Sequence, residues 1–357
     1  MTSTRAPLPV RDDLVELEGY HSPQVAADVR LNTNESPYPP PDAWREAFLE
    51  ELATVPFHRY PDRRAWALRK ALAELHGFRP EQVFVANGSN EVLQALCLAY
   101  GGPGRRVAVF EPTYALHSHI ARLTGTGVAE GERRADFTLD LGDVARIAGE
   151  AEPAVTFLCS PNNPTGTVDA AGVLAEVLHL APGLVVVDEA YGQFAPRSAL
   201  SDVNDGANLV VTRTFSKTWS MAALRLGYCV APDDVVVALE RVALPYHVDV
   251  ASQIAGRLAV QYRGEMEARV RTLVSERERM TSALRDLSVD TWTSGANFVL
   301  IRPRDRDGTE VWKGLLAHSV LVRDCSSWPR LSGCLRVTVG TPNENDAFLA
   351  ALREVLA

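Results

Sequence analysis

The chain has 357 residues, of which 46% are hydrophobic and 23% are charged, and its formal net charge is −9 at pH 7. A chain of this length is too long for one simple core, so we expect two domains or one large α/β domain with an appendage. The acidic balance argues against a nucleic-acid-binding protein, and no apolar run approaches the roughly 20 residues of a membrane span. Residues 1–10 lack the apolar stretch of a signal peptide. The five cysteines form no CxxC pair and three lie in apolar runs, which predicts reduced, buried thiols and a cytoplasmic protein.

Proline and charge dominate the first 41 residues. The stretch 1–30, which includes Tyr20, mixes proline, charge and short apolar runs, and we interpret it as an extended N-terminal arm. The proline-rich stretch 30–41 should also stay extended, because proline fixes φ and removes N–H donors. We expect this stretch to run along a surface, such as that of a partner subunit. Helical periodicity then predicts helices at 43–52 and 65–76.

A pattern of alternating strands and helices begins at residue 83. The predicted strands are rich in β-branched residues and lie at 83–86, 107–110, 155–159, 184–188, 209–212 and 228–231. Helical stretches separate them, which predicts an α/β fold with a mainly parallel sheet covered by helices on both faces. After the first strand, a Gly-Ser turn at 87–90 leads into a helix at 91–100. Such a turn presents backbone N–H groups to an anion, although most turns of this kind are only helix caps.

Polar residues follow several of these strands, and binding sites in such sheets form where the strands end. Asn163 comes just after the strand at 155–159. Asp188 ends the strand at 184–188, Tyr191 follows it, and Lys217 comes after the strand at 209–212. A carboxylate that ends a buried apolar strand is costly unless a cation or donor meets it. Burial and cationic neighbours such as Arg225 lower the pKa of a lysine, so its amine can act as nucleophile and base. Considered by itself, Lys217 is equally compatible with a structural role, in which a lysine at a strand end pairs with a carboxylate.

The character of the sequence changes after residue 245, where we expect a small α+β domain. A long charged helix is predicted at 266–287. The further elements are strands at 297–301, 320–323 and 335–339 and helices at 309–317 and 344–355. Arg323 and Arg336 lie on predicted strands with apolar neighbours, where an arginine either binds an anion or forms an internal salt bridge. The predicted division is an arm at 1–30, a large domain at 31–245 and a small C-terminal domain at 246–357.

A series of motifs along nearly the whole chain resembles one enzyme class. In order they are RLNTNESPYPP, HRYPD, ANGSNE, EPTYALH, SPNNPTG, VVDEAYGQF, TRTFSK, LRLGY, LPYH, ANFVLIR, VLVRD and CLRVTVGTPNEND. Each motif alone has modest specificity, but their combination and order resemble the fold-type I pyridoxal-phosphate aminotransferases of the class II subfamily. Within that class the chain is similar to the histidinol-phosphate aminotransferase family.

The resemblance implies a pyridoxal 5'-phosphate cofactor, and it assigns its ring to residues at the strand ends. Lys217 would form a Schiff base with the cofactor aldehyde. Asp188 would pair with the protonated pyridine nitrogen, and Asn163 and Tyr191 would hydrogen-bond the ring oxygen. Tyr114 would stack on the ring face. Pairing a carboxylate with the ring nitrogen favours its protonated form, which keeps the ring an acceptor of electrons.

The resemblance also assigns the cofactor phosphate and the subunit arrangement. The phosphate would be held by five residues, namely Gly88, Ser89, Asn90, Ser216 and Arg225. Tyr60 resembles a tyrosine that reaches the phosphate from the other subunit, which implies a homodimer. We expect no metal.

For the substrate, the resemblance implies L-histidinol phosphate as amino donor and 2-oxoglutarate as acceptor, giving imidazole acetol phosphate and L-glutamate in histidine biosynthesis. Arg336 would bind the substrate's anionic group, with Arg323, Tyr20 and Asn163 near it. Arginine suits this role because its planar fork matches both carboxylate and phosphate.

Some positions depart from the pattern of the family and leave the substrate open. Ser36 and Asn90 stand where Asn and Asp are frequent, and Trp219 and the loop at 325–328 would reshape the pocket. One alternative is an aminotransferase for aromatic or other amino acids, including amines of specialised metabolism. Another is a lyase similar to phosphothreonine decarboxylase. A non-enzymatic ligand-sensing domain is disfavoured, because no DNA-binding module is expected before residue 30 and every catalytic position is kept.

Overall fold

A computed structural model of the chain describes residues 8–15, 17, 19 and 25–357. Tyr20, which the sequence places in the substrate site, lies outside these residues. The strands are β1 (Val29–Leu31), β2 (Val83–Ala86), β3 (Arg106–Glu111), β4 (Gly127–Glu132), β5 (Val155–Cys159), β6 (Leu184–Asp188), β7 (Leu209–Thr214), β8 (Gly227–Val230), β9 (Val289–Thr291), β10 (Phe298–Pro303), β11 (Val320–Asp324) and β12 (Leu335–Thr338).

Helices connect most of the strands. They are α1 (Asp42–Leu52), α2 (Trp66–His76), α3 (Ser89–Tyr100), α4 (Leu116–Leu123), α5 (Leu141–Ala151), α6 (Val173–Leu180), α7 (Asp233–Val242), α8 (Val250–Gln261), α9 (Arg263–Leu284), α10 (Gly308–Ala317) and α11 (Pro342–Leu356). Within the described part of the chain, none of these helices is long and apolar enough to span a membrane.

The larger sheet has seven strands in the order β2-β8-β7-β6-β5-β3-β4. The pairs from β4 across to β7 are parallel, whereas β8 runs antiparallel to both of its neighbours. Alternate side chains of a strand point to opposite faces, so Val185 and Val187 of β6 enter one core and Leu184 and Val186 enter the other. The predicted mainly parallel α/β sheet with helices on both faces is therefore confirmed.

The edge strand β4 was not predicted from the sequence. Its residues, GVAEGE, include two glycines and two glutamates, which have low strand propensity. The strand forms because all six residues pair in register with β3. Pairing partners, and not local preference, define this element.

The smaller sheet has five strands in the order β1-β11-β12-β10-β9. Its strand β1 comes from the N-terminal region and pairs in parallel with β11, with Val29 opposite Val320. Helix α11 begins with a capping box in which Thr341 and Glu344 each bond the other's backbone N–H, an arrangement that satisfies two otherwise unpaired donors. Apolar side chains of this sheet and of α9, α10 and α11 share one core.

Helix α8 packs on the core of the larger sheet, although the sequence assigns its residues to the small domain. Trp44 of α1 donates a hydrogen bond from Nε1 to the carbonyl of Ala255 at 3.1 Å, and Ile254 and Leu258 enter the same core. The division at residues 30/31 and 245/246 stays a prediction.

Candidate active site

The strands β5, β6 and β7 end at a cavity of about 430 Å³, which also receives side chains of the smaller sheet. Most residues that the sequence assigns to the site line it, namely Ser89, Asn90, Tyr114, Asn163, Asp188, Tyr191, Ser216, Lys217, Arg225, Arg323 and Arg336. Parallel strands bring their carboxyl ends to one edge of a sheet, and this explains why residues distant in sequence meet here.

Lys217 carries the amine of the cavity. Its Nζ donates a hydrogen bond to the carbonyl oxygen of Thr33 at 2.9 Å and lies 5.9 Å from the centre of the Tyr191 ring. Burial, followed by the positive charges of Arg336 and Arg225, lowers the pKa of Lys217 to about 7. A large fraction of the amine is therefore unprotonated at neutral pH, so it can act as nucleophile or base.

Asp188 ends β6 as a buried carboxylate with several donors around it. Its Oδ1 accepts hydrogen bonds from Thr212 Oγ1 at 3.2 Å and from the backbone N–H of Ala190 at 3.0 Å. Its Oδ2 lies 3.2 Å from Nε2 of His117 on α4. The ring of His117 stacks on Phe157 and is fully buried. Hydrogen bonds from these partners offset the desolvation cost of a carboxylate at the end of an apolar strand.

His117 was not singled out in the sequence, although it is the side chain that contacts Asp188 from the helix layer. The available signal was its position three residues after Tyr114, in the turn that leads into α4, where the two rings lie edge to face with 5.4 Å between their centres. Its Nδ1 has no hydrogen-bond partner among the described residues. A histidine on an apolar helix face is more often a core residue, which is why spacing alone did not identify it.

The segment 32–35 is a second feature that sequence reasoning missed. The sequence predicts a surface path for it, but Asn32 and Asn34 are buried and the segment lines the cavity. Asn34 Nδ2 donates to Tyr191 Oη at 2.9 Å, and burial raises the pKa of Tyr191 to about 12. Tyr191 therefore stays a neutral hydroxyl at physiological pH.

A cradle of hydrogen-bond donors that suits an anion lies at the N-terminus of α3. This helix has no side-chain N-cap, so its first N–H groups are available to an anion. Gly88 has a φ of +80°, and a Cβ added there would lie 2.8 Å from Nη2 of Arg225. Ser216 Oγ accepts a hydrogen bond from Arg225 at 3.4 Å, and Tyr114 Oη donates to Asn90 Oδ1 at 3.2 Å. Backbone, hydroxyl and guanidinium donors thus converge as a phosphate requires.

Two arginines enter the cavity from the smaller sheet. Arg336 is buried and donates to Asn163 Oδ1 at 2.5 Å and to the carbonyl of Asn32 at 2.9 Å. Its Nε has no partner among the described residues, so the group keeps donor capacity and an unmatched charge for an anion. Arg323 lies opposite Arg336 in the antiparallel pairing of β11 and β12.

Tyr60 lies outside the cavity of its own chain. Its side chain is 80% exposed and stacks on Tyr246 with 4.5 Å between ring centres. Among the described residues, no cluster of histidine, cysteine, aspartate or glutamate could hold a metal ion. The cavity itself combines an amine, a buried carboxylate, an anion cradle and two arginines.

Comparisons with known proteins agree with this geometry. Residues 27–352 match the family model of the class I and II aminotransferases, and the chain belongs to this family. It is 44% identical to a histidinol-phosphate aminotransferase of Thermobifida fusca, over 97% of this chain and 95% of the relative. It is 43% identical to one of Streptomyces avermitilis, over 98% and 96%. Within the class, the chain therefore belongs to the histidinol-phosphate aminotransferases.

A solved structure shares the fold. The histidinol-phosphate aminotransferase from Sinorhizobium meliloti, determined in complex with pyridoxal-5'-phosphate, superposes with a TM-score of 0.89 at 22% identity. The match covers 99% of both chains. The two-sheet architecture is thus that of a known aminotransferase.

Proposed function

We propose that the protein is a pyridoxal-phosphate-dependent transaminase that transfers the amino group of L-histidinol phosphate to 2-oxoglutarate, giving imidazole acetol phosphate and L-glutamate in histidine biosynthesis. The observation that carries this proposal is the Lys217 amine, with its pKa lowered to about 7, in one cavity with an anion cradle and two arginines. The names of the relatives supply the substrate.

The residues of the cavity fit pyridoxal phosphate. The cradle at Gly88, where a side chain would meet Arg225, suits the phosphate, together with Ser89, Asn90 and Ser216. The buried Asp188 suits a protonated ring nitrogen, since an opposite charge favours that form. Asn163 and Tyr191 would bond the ring oxygen, and Tyr114 would cover one ring face. When bound, this cofactor supplies an aldehyde that reacts with amines and a ring that accepts electrons.

The chain's own groups perform the proton transfers and hold the substrate. The Lys217 amine would remove the proton from the amine-bearing carbon of the substrate and carry it on Nζ to a different carbon, since return to the same carbon would transfer no amino group. This is general acid–base catalysis by a group with a pKa near the working pH. Arg336, with Arg323 beside it, would bind the phosphate of histidinol phosphate in one half-reaction and a carboxylate in the other. We propose that Tyr20 also contributes to this anion site.

We further propose that the protein works as a homodimer in which Tyr60 completes the phosphate site of the partner. In its own chain Tyr60 is exposed and outside the cavity, which supports a role across an interface. We assign the enzyme to the cytoplasm, where reduced thiols persist, because all five cysteines are free and buried.

The decisive experiment compares kcat/KM for histidinol phosphate with the values for phenylalanine, tyrosine and tryptophan. We expect histidinol phosphate to be preferred by about 10²-fold or more, because a site built for an anion leaves buried donors unpaired when the anion is missing. Equal or better use of the aromatic amino acids would refute the substrate assignment. Release of carbon dioxide from phosphothreonine would indicate the lyase instead. Loss of the cofactor's visible absorbance in Lys217→Ala, together with loss of turnover, separates an enzyme from a ligand sensor.

A further inference from the structure

The two arginines of the cavity stand closer than their charges alone would favour. Arg323 and Arg336 are directly opposite each other on the neighbouring strands β11 and β12, and both line the cavity. Like charges at directly opposed positions of a sheet repel each other. A feature that attracts both guanidinium groups would lower this repulsion.

Trp328 is placed to supply this feature. The centre of its ring lies 5.3 Å from the guanidinium carbon of Arg323 and 5.9 Å from that of Arg336. An aromatic face attracts a cation, and tryptophan does so most strongly. One indole thus contacts both charges of the site.

The loop that carries Trp328 fixes the ring in this position. Backbone bonds run from Trp328 N–H to the Cys325 carbonyl at 2.9 Å and from Leu331 N–H to the Trp328 carbonyl at 3.1 Å. The backbone N–H of Cys325 donates a hydrogen bond to the Cys334 carbonyl at 3.0 Å and closes the base of the loop. The ring packs against a small apolar cluster that includes Leu331 and both cysteines. Trp328 is therefore a constrained support and not a free surface side chain.

Among the described residues, the hydrogen-bond partners of Arg336 are neutral oxygens. Its charge is thus left for the ligand, with the aromatic rings of Phe298 and Trp328 around it. A site with two adjacent guanidinium groups favours a group with two negative charges and several acceptor oxygens. A phosphate monoester carries about −1.5 to −2 charges at pH 7, whereas a carboxylate carries one.

We propose that Trp328 is a specificity-determining residue, which holds Arg323 beside Arg336 and so tunes the site toward a phosphate-bearing amine over a carboxylate. This inference rests on the proposed function. Trp328 lies outside the lining of the cavity and, as a positioning residue, acts on substrate charge through the two arginines. The same residue should have little influence on proton transfer at Lys217.

The test compares the holoenzyme with Trp328→Met, which keeps apolar volume without a ring, and Trp328→Phe, which keeps a smaller ring. We expect Trp328→Met to raise KM for histidinol phosphate about tenfold and KM for 2-oxoglutarate less than about threefold, which corresponds to the scale of a partly desolvated cation–π contact. Trp328→Phe should fall between wild type and methionine. The kcat and the absorbance spectrum of the bound cofactor should stay unchanged in both variants.

Equal rises in both KM values, or no rise, would overturn the inference. If the methionine variant does not fold, as judged by thermal melting, the Trp328→Phe variant alone decides the test. An unchanged ratio of its two KM values would then refute the role of Trp328.

A second experiment separates the role of Trp328 from the proposed function. It measures inhibition by inorganic phosphate and by acetate, with whichever amine the wild type uses as substrate. If histidinol phosphate is not a substrate but Trp328→Phe still weakens phosphate inhibition more than acetate inhibition, the proposed function fails and the role of Trp328 stands. If phosphate inhibition is unaffected, the role of Trp328 fails.

Discussion

At the scale of single residues, burial shifts the protonation equilibria of Lys217 and Tyr191 toward their neutral forms. A buried lysine with an arginine nearby loses its proton more easily, because both desolvation and like charge disfavour the ammonium form. Lys217 is such a group, with Arg336 as its strongest charged influence. The reactive amine is therefore produced by burial together with the same arginine that is proposed to bind substrate, and substrate binding should alter the charge around Lys217.

The lowered pKa of Lys217 predicts a pH-dependent cost in stability. Below about pH 7 the amine is charged in both the folded and the unfolded states, so folding carries the full penalty of confining the charge. Between the folded value of about 7 and the ordinary value of 10.5, the unfolded chain binds a proton that the folded chain lacks. The free energy of unfolding therefore rises with pH between these two values, because the penalty from Lys217 is progressively lost.

When both proteins are freed of pyridoxal phosphate, we expect Lys217→Met to melt roughly 2–4 °C above the wild type at about pH 6. The difference should shrink as the pH approaches about 10. The measurement is thermal unfolding across this pH range, with Lys70→Met as control because the side chain of Lys70 is 65% exposed. A gain for Lys217→Met that does not change with pH would contradict the lowered pKa.

At the scale of elements, the apolar strands were the most predictable part of the fold. The bounds of β2, β5 and β6 agree with the sequence to the residue, because each is a short run of apolar, largely β-branched residues with clear turn signals around it. The short strands β1 and β9 were not predicted, since three residues carry little periodic signal and depend on their pairing partners.

The predicted site shows the same limit. Asp188, Asn163 and Lys217 were found because strand ends of a parallel sheet meet at one edge. Asn34 and His117 were not, since their positions depend on the return of the chain from β1 and on the packing of α4. Local sequence does not contain such long-range placement, and only a resemblance or a structure supplies it.

The turn before α3 gives a prediction at this scale. Gly88 combines φ +80° with ψ 165°, a region that is essentially restricted to glycine, and a side chain there costs about 1–3 kcal/mol. In addition, the Cβ of an alanine at this position would lie 2.8 Å from Arg225 Nη2. We expect Gly88→Ala to lose stability and to weaken pyridoxal phosphate binding about tenfold or more, as expected when a charged donor of the cradle is displaced.

Gly104 offers a matched control. It has the same φ of +80°, and a Cβ there meets no atom within 4 Å. Gly104→Ala should therefore lose stability without losing affinity for pyridoxal phosphate. Titration of each variant with the cofactor, followed by absorbance, separates the two effects. Equal affinity for the cofactor in both variants would show that the contact between position 88 and Arg225 is not used.

At the scale of the whole molecule, the site is shared by both sheets. The larger sheet supplies Asp188 and Lys217, and the smaller sheet supplies Arg336. The segment 32–35 links them, since Asn32 accepts a hydrogen bond from Arg336 and Thr33 accepts one from Lys217. A relative movement of the two sheets would change the distance between the Lys217 amine and Arg336, so the packing between the sheets sets the spacing of these two groups.

The surface around Tyr60 carries apolar groups that are unusual for an exposed region. Phe57 and Leu244 are 72% and 76% exposed, and Tyr246 stacks on Tyr60. Clusters of exposed apolar side chains mark interaction surfaces. In a two-fold symmetric dimer the same patch serves both subunits, and each chain could then offer its Tyr60 to the other's cavity.

Mixed dimers test this arrangement directly. Lys217→Ala removes the amine of a chain's own cavity, and Tyr60→Ala would remove a group from the partner's cavity. In a mixed dimer of the two variants, one cavity then keeps both residues. Random exchange between equal amounts should restore about one quarter of the wild-type activity per chain, because half of the dimers are mixed and each has one intact site.

The control pairs Lys217→Ala with Asp188→Asn, because both side chains line the cavity of the same chain. Neither cavity of that mixed dimer is intact, so no activity should return, even though subunits exchange equally well. If Tyr60 acts within its own chain, the Tyr60→Ala mixture will behave like this control. Recovery in the Tyr60 mixture alone therefore requires that the hydroxyl-bearing ring crosses to the partner, which ties the exposed patch on one subunit to the phosphate cradle of the other.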